Sequence, residues 1–290
     1  MPNITAERLN VYQQQTFRLR SDLRLQSKED GLAFVNQRGF VYFWPIKGIL
    51  LPNLWMAVAG NRPVADAHDD PGHITWGWKD EMLDKRQWYY GKILRGKATM
   101  IALEMVPYFY ALSENYGDPE KDYLQLYDDG LLSREAKMIY EILLKEGPLD
   151  TVNMRRLVHM TGKASNSPFE RALVALQRDF KILPVGIAQA GAWRYSFIYD
   201  LVHRYYPELP EQARPIRRSE ARRILVERYL TSVGAATLGD TWKLFQWPRE
   251  DLNRTVAQLV EESRLESGYR VEGASDDYLV ALPLLAFGEK

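Results

Sequence analysis

The chain has 290 residues, with 38 Lys and Arg balanced by 38 Asp and Glu, four His and no Cys. Its hydrophobic (46%) and charged (26%) fractions exclude bulk disorder, and the lack of Cys excludes disulfide staples, thiol nucleophiles and sulfur-ligated zinc. The zero net charge hides a pattern: −7 over residues 101–150 and +7 over residues 151–230.

Roughly 100–200 residues per domain allows about two or three domains. Over residues 1–130 the pattern predicts helices at 5–18, 28–38, 52–59, 79–94 and 107–116, joined by aromatic, Pro-punctuated connections. Five of the eight Trp fall there, at 44, 55, 76, 78 and 88, as a core of large rings or the lining of a pocket. The acidic stretch 114–129 reads as a connector.

Ser133 begins the clearest helix, with Glu135 in its first turn, an apolar stripe of Ile139, Ile142, Leu143 and Leu144, and a stop at Gly147-Pro148. A short second helix fits Thr151 to His159, and Thr161-Gly162-Lys163 is a turn. A third fits Ser167 to Phe180, with Pro168 in the first turn and Phe169, Ala172, Leu173 and Leu176 on one face. The β-rich runs 181–187 and 193–199 around Gln189–Ala192 read as a hairpin. Three helices followed by a hairpin is the winged-helix order, a variant of helix-turn-helix.

The same grammar returns at Ser219–Leu230, ending near Gly234. It continues through Thr237–Phe245 and Pro248–Ser263, the latter with Leu252, Val256, Leu259 and Val260 on one face. A second hairpin fits 264–272 and 278–283 around Gly273–Ser275. The first helices of the two blocks start 86 residues apart and their hairpins 83 apart. The expected fold is α+β, mostly helical, with two tandem winged-helix units over 131–210 and 211–290, behind a divergent, aromatic-rich, winged-helix-like domain over 1–130.

A basic block within a neutral chain fits a double-stranded DNA partner. In a winged helix the third helix enters the major groove. That singles out Lys163, Asn166, Ser167 and Arg171, with Ser165 and Arg178 nearby, and in the later block Arg249, Asn253 and Arg254. Arg155, Arg156, Arg217, Arg218, Arg222 and Arg223 are placed to meet phosphates. Trp76-Gly-Trp-Lys-Asp80 and Gln87-Trp-Tyr-Tyr-Gly91 interleave rings with Lys79, Lys85, Arg86 and Lys92, a pattern that suits base stacking with phosphate neutralisation by the cations, or an amphipathic buried helix.

His68-Asp69-Asp70-Pro71-Gly72-His73 is the most conspicuous polar cluster. Imidazole and carboxylate can ligate a metal, but Pro71-Gly72 makes a turn that lines up no helical face. The reading is therefore no metal, with His68 and His73 the only candidates, and a polar pocket wall beside Trp76 and Trp78. No phosphate-cradling Gly loop, Ser–His–Asp arrangement or dinucleotide fingerprint is present, so no cofactor is expected. No apolar run reaches the ~18–20 residues of a membrane span, and the N-terminus has no signal-peptide core. The expected location is the cytoplasm, with the nucleoid.

The segment Arg223-Ile-Leu-Val-Glu-Arg-Tyr-Leu-Thr-Ser-Val-Gly-Ala-Ala-Thr-Leu-Gly-Asp240 resembles the AlkZ/YcaQ family. The resemblance covers most of residues 1–285 in element order, with its specific residues in 219–260. Its members are bacterial DNA glycosylases that remove alkylated bases and unhook interstrand crosslinks. They carry three winged-helix units usually followed by a β-barrel, and here the chain is expected to lack the barrel. The family's catalytic signature, Gln, a hydrophobic residue, then Gln or Asp, finds its best counterpart in Phe34-Val-Asn-Gln-Arg-Gly-Phe40.

Aligned on Val35, Asn36 and Arg38 take the polar positions, and a one-residue shift brings in Gln37. Asn36 or Gln37 could orient water. Arg38 would oppose an oxocarbenium ion but could grip a flanking phosphate. A catalytic carboxylate would then come from Asp69, Asp70 or Asp80. Two readings follow: a glycosylase acting on alkylated bases, with the 36–80 region receiving the extruded nucleotide, or a non-catalytic DNA binder that senses lesions or regulates transcription.

Overall fold

The computed structural model describes residues 2–115, 117–191 and 193–288. A two-residue strand β1 (Asn3–Ile4) and helix α1 (Ala6–Thr16) open the chain. Then come α2 (Lys28–Arg38), β2 (Phe40–Tyr42), α3 (Leu54–Ala59), α4 (Ile74–Met82), β3 (Trp88–Lys92) and β4 (Ala98–Ala102). Short helices α5 (Val106–Tyr110) and α6 (Asp122–Asp128) lead to α7 (Arg134–Glu146), β5 (Leu149–Asp150), α8 (Thr151–Leu157), α9 (Asn166–Arg178), β6 (Ile182–Ala188) and β7 (Ser196–Leu201). After α10 (Val202–Tyr205) and α11 (Leu209–Ala213) follow α12 (Arg218–Val233), β8 (Ala235–Thr237), α13 (Leu238–Phe245), α14 (Arg249–Glu261), β9 (Leu265–Val271), β10 (Tyr278–Ala281) and α15 (Leu282–Leu285).

The order helix, strand, two helices, two strands thus occurs three times. The sheets repeat it, as β2-β4-β3, β5-β7-β6 and β8-β10-β9, with the late strand between the other two each time. In the last sheet β1 adds a fourth strand, parallel to β9, with Asn3 opposite Arg270 and Ile4 opposite Val271. The start of the chain therefore belongs in space to its end. Among the described residues no helix is long and apolar enough to cross a membrane.

Local chemistry explains most boundaries. Ser27 and Asp30 form a reciprocal capping box at the start of α2, and Thr237 and Asp240 form another at α13. Ser133 caps α7 by accepting from the Ala136 N–H. α2 stops at Gly39, whose φ of 81° disfavours a side chain and whose missing Cβ leaves room for the Arg228 stem. The strand pair β6–β7 shifts register between Pro184 and Gly186, where Pro184 has no N–H to offer the ladder.

Two differences from the expected elements stand out. The helix expected at 79–94 is instead α4, which begins at Ile74 and ends at Met82, while Trp88–Lys92 is strand β3. Arg86, at φ 50°, breaks the helix, and the run Trp88-Tyr89-Tyr90 pairs with β4 from Trp88–Ala102 to Lys92–Ala98. Aromatic β-propensity prevails there. The acidic connector contains α6. The turn expected at Gln189–Ala192 has Ala192, and the connector has Tyr116, outside the described residues.

One core runs through the first and third repeats: Phe40 meets Phe109 and Phe245 edge-on at 5.2 and 6.2 Å, and Phe245 meets Tyr229 at 5.8 Å. The second repeat has its own core around Leu143, Met154, Phe169, Leu173, Leu176 and Tyr199. Its hairpin reaches out of that core toward α4, and there the polar groups gather.

Candidate functional site

The approach to α4 is built by short-range hydrogen bonds. Asp70 Oδ1 accepts from Gly72 N at 2.8 Å and from Arg62 Nη2, turning the chain through one turn of 3-10 helix, Pro71–His73. The Arg62 guanidinium, then the Gly72 N–H, hold the Asp70 carboxyl below the usual carboxylate range. Gly72 lies so close to Trp55 that a Cβ would sit 2.7 Å from the ring. Thr75 Oγ1 then bonds back to the Gly72 carbonyl at 3.0 Å.

Trp76, Lys79 and Asp80, at i, i+3 and i+4, share one face of α4. That face meets the β6–β7 hairpin of the second repeat. Lys79 is only 2% exposed, with its ammonium 4.5 Å from the Phe197 ring centre and 5.2, 5.5 and 5.6 Å from those of Trp76, Tyr195 and Tyr90. Such rings attract a cation through their quadrupoles. Lys79 Nζ donates to Tyr195 Oη at 2.8 Å and pairs with Asp80, while Tyr195 Oη donates to Asp80 Oδ1 at 2.9 Å. Burial pushes the Lys79 pKa down and Asp80 counters it. Burial and the bond to Asp80 push the Tyr195 phenol up. The three groups form a closed triangle whose carboxylate keeps its other oxygen out of these bonds.

Two clefts flank this triangle. One, of about 540 Å³, is lined by Trp44, Val64, Ala65, Asp66, His68, His73 and Trp76, a size that suits a small planar ligand. Trp44 and Trp76 form its aromatic wall, with ring centres 5.6 Å apart, and Trp76 remains 38% exposed. His73 Nε2 lies 3.0 Å from the Ala65 carbonyl and its ring 4.9 Å from that of Trp55. The other cleft, of about 790 Å³, takes Asp80, Glu81 and Lys85 from α4 and the segment after it, Lys28 and Glu29 from α2, and Gly186, Ile187 and Ile198 from the β6–β7 hairpin. Trp76 touches Tyr195 at 6.3 Å, so Trp76 and Asp80 connect the two clefts through one tyrosine.

The catalytic candidates read from the sequence lie in separate places. Asn36 and Gln37 are exposed at the end of α2, where Gln37 accepts from Arg18 at 3.0 Å. Neither contacts Asp69, Asp70 or Asp80 in any hydrogen bond of the described residues. Asp69 is exposed on its loop, whereas Asp70 is spent on Arg62 and the turn. Asp80 alone joins the triangle with Lys79 and Tyr195, and it lines the larger of the two clefts. His68 and His73 line the aromatic cleft, but among the described residues no group of three or more His, Asp and Glu could hold a metal ion.

Two expected phosphate contacts are enclosed. Lys79 is caged, and Arg38 is 8% exposed between α1 and α12, with Nε and Nη1 lacking hydrogen-bond partners. Burial, with Arg18 and Arg228 nearby, pushes the Arg38 pKa down despite Tyr12. The helical periodicity of each residue was legible; the neighbouring repeat that covers it was not.

The other cations divide. Arg156, Lys163 and Arg171 are exposed around α8 and α9, as are Asn166 and Ser167. Arg155 instead lies over Phe169 at 4.0 Å and bonds to Asn166 and Met160. In the third repeat Arg222 pairs with Asp251 at 2.9 Å, Arg223 with Glu262 and Arg218 with Glu114. Arg249 covers Trp242 at 4.2 Å, while Arg217 and Asn253 are exposed. Sequence reasoning missed Tyr195 and Phe197, while Trp44 is among the tryptophans expected to fill a core or line a pocket. The only signal for the first two was the alternation Tyr195, Phe197, Tyr199, which places rings on one face of a strand.

Comparison with known proteins agrees with this architecture. The Streptomyces sahachiroi DNA glycosylase AlkZ has a similar fold, with a TM-score of 0.60 over 99% of this chain and 73% of that one, at 14% identity. No curated protein matches by sequence. The model of the family described as AlkZ related matches residues 25–246, so the chain belongs to the AlkZ-related family.

Proposed function

We propose that the protein is a DNA-repair glycosylase of three winged-helix units, bounded near residues 130 and 210 with the N-terminal strand lent to the third. In this reading it grips duplex DNA through the exposed cations of α8 and α9 and receives an extruded, alkylated base at the Trp44–Trp76 wall. The observation that carries it is the pairing of Trp76 and Asp80 on one face of α4, a stacking surface one helical turn from a carboxylate. Family membership supports the class of reaction. Extrusion costs a few kcal/mol, least at damaged pairs, which itself selects for them.

In the chemistry so assigned, the N-glycosidic bond breaks and its electron pair leaves with the base. Positive charge grows on the sugar, and a water adds to C1′ and gives its proton to a carboxylate. Asp80 is that carboxylate. Lys79 and Tyr195 occupy its Oδ1 and leave Oδ2 for the water. The aromatic cage keeps Lys79 in place without presenting a cation to the reacting sugar.

A second reading, a lesion binder without catalysis, is favoured by Asn36 and Gln37, which lie away from every candidate carboxylate. One experiment separates them: equilibrium binding to intact, abasic and alkylated-purine duplexes at two salt concentrations, with release of the free base followed in parallel. Tighter binding to damaged duplexes with base release is expected. Damage-selective binding without release leaves the second reading, and equal binding to all three duplexes overturns both.

A further inference from the structure

The β6–β7 hairpin of the second repeat ends in an indole that nothing in the fold explains. Trp193 is 90% exposed, far more than any other large apolar side chain among the described residues. A single exposed ring is ordinary by itself, and what marks this one is its place at a hairpin tip beside a cation-bearing helix. The tip is shaped: Gly191 turns at φ 79°, the Arg194 N–H bonds to the Gly191 carbonyl at 3.1 Å, and Arg194 Nη2 reaches Gln189 at 3.3 Å.

Its surroundings name the partner's charge. Residues 182–199 contain one charged side chain, Arg194, and residues 151–169 contain no carboxylate, only Arg155, Arg156 and Lys163. The two stretches adjoin, since a Cβ on Gly191 would touch Val152 of α8 at 3.5 Å. Val152 and Arg156 are four residues apart and so share a face of α8. The nearest carboxylate, Asp150, is engaged in capping α8 through the Val152 and Asn153 N–H groups. A bare indole beside Arg194 and the Arg156 face of α8 fits a polyanion with flat apolar faces inside it, which describes stacked DNA better than a protein surface.

We infer that Trp193 enters the duplex and stacks in the space left by a missing or extruded base, while Arg194 neutralises the adjoining phosphate. Side chains wedged between base steps are known to hold DNA open, and an indole covers a base pair's face more fully than an aliphatic wedge. This rests on the DNA reading above but assigns a separate place on the protein, outside both clefts.

The test uses the full chain and duplexes with 2-aminopurine beside an abasic position or beside an intact pair. Trp193→Ala should lower affinity for the abasic duplex about tenfold, leave intact-duplex affinity within about twofold, and abolish the 2-aminopurine quenching that wild type produces. Trp193→Phe should keep most of the quenching, because a ring remains. The side chain is exposed, so neither variant should alter folding. Wild-type behaviour by Trp193→Ala, while Arg156→Gln/Lys163→Gln/Arg171→Gln binds weakly, overturns the inference and leaves the DNA reading standing. Equal loss on both duplexes also overturns it, and a wild-type chain that binds no duplex overturns it together with the reading beneath.

Discussion

α4 and α9 hold the same place in their repeats, the last helix before a hairpin, yet their polar side chains meet opposite fates. On α4 the hairpin of the next repeat covers Lys79 with rings and ties it to Asp80 and Tyr195. On α9 the first turns stay in water, with Asn166, Ser167 and Arg171 exposed. Its polar contacts with the first repeat are made at Lys92, which pairs with Glu170 at 4.0 Å and whose N–H donates to Gln177 at 3.1 Å. Equivalent position in a repeated order therefore does not fix a helix's role. The neighbour that lies across it does: one helix makes a pocket, the other a free basic face.

If α4 carries chemistry and α9 carries grip, substitutions should separate the two. Asp80→Asn should cut base release by about 100- to 1,000-fold while duplex binding stays within about threefold, measured by single-turnover release and fluorescence anisotropy. Equal loss of both would merge the two roles.

The next effect lies beyond the end of α9, at a second buried lysine. Lys181 is 3% exposed and donates to the Glu114 carbonyl at 3.0 Å and to Asn115 at 2.6 Å; burial pushes its pKa down to about 8. Between pH 8 and the ordinary lysine value the unfolded chain binds more protons, so stability should rise with pH there, by about 3 kcal/mol in all. Urea unfolding of wild type and Lys181→Met across that window reads it, and the variant should lose the rise. Lys79, held by a carboxylate as well as by rings, should contribute a smaller rise of the same sign.

On the open face, Arg156→Gln/Lys163→Gln/Arg171→Gln should weaken duplex binding about 30-fold near 0.15 M salt. It should also lower the slope of log affinity against log salt by up to about 3, with base release at saturating protein unchanged. The smallest effect is at the hinge of the pocket. Tyr195→Phe removes one hydroxyl from the triangle and should cost about 1 kcal/mol of stability by thermal unfolding. Lys79 and Asp80 remain paired, so a larger loss would mean that the hydroxyl itself holds the two repeats together.

Much of the fold was legible because its signals are short-range. Ser27 with Asp30, Ser133 with Ala136 and Thr237 with Asp240 meet within three residues, and the stripe Phe169, Ala172, Leu173, Leu176 announces α9. The helix misjudged at 79–94 joined a helical pattern to an aromatic strand whose partner β4 lies downstream, and the one expected at 107–116 stops at Tyr110. In the site, Asp80 and the Trp-rich loop were legible as a cluster. The division of labour among them was not: Asp70 caps a turn, Asp69 faces water, and the Asn36–Gln37–Arg38 stretch points to the first helix and α12.

By itself the sequence determined most of the helices, the two downstream hairpins with their repeated order, and the acid-free basic stretch at 151–169. Each of these depends on residues a few positions apart, whose geometry the backbone dictates. Only the tertiary structure decided which polar groups would be used. Lys79 and Tyr195 are 116 residues apart, and Arg38 is sealed by α12, so their burial depends on how one repeat lies against another. The same packing left Trp193 with nothing to cover it, and no local pattern separates a tryptophan that will be buried from one that will stay in water.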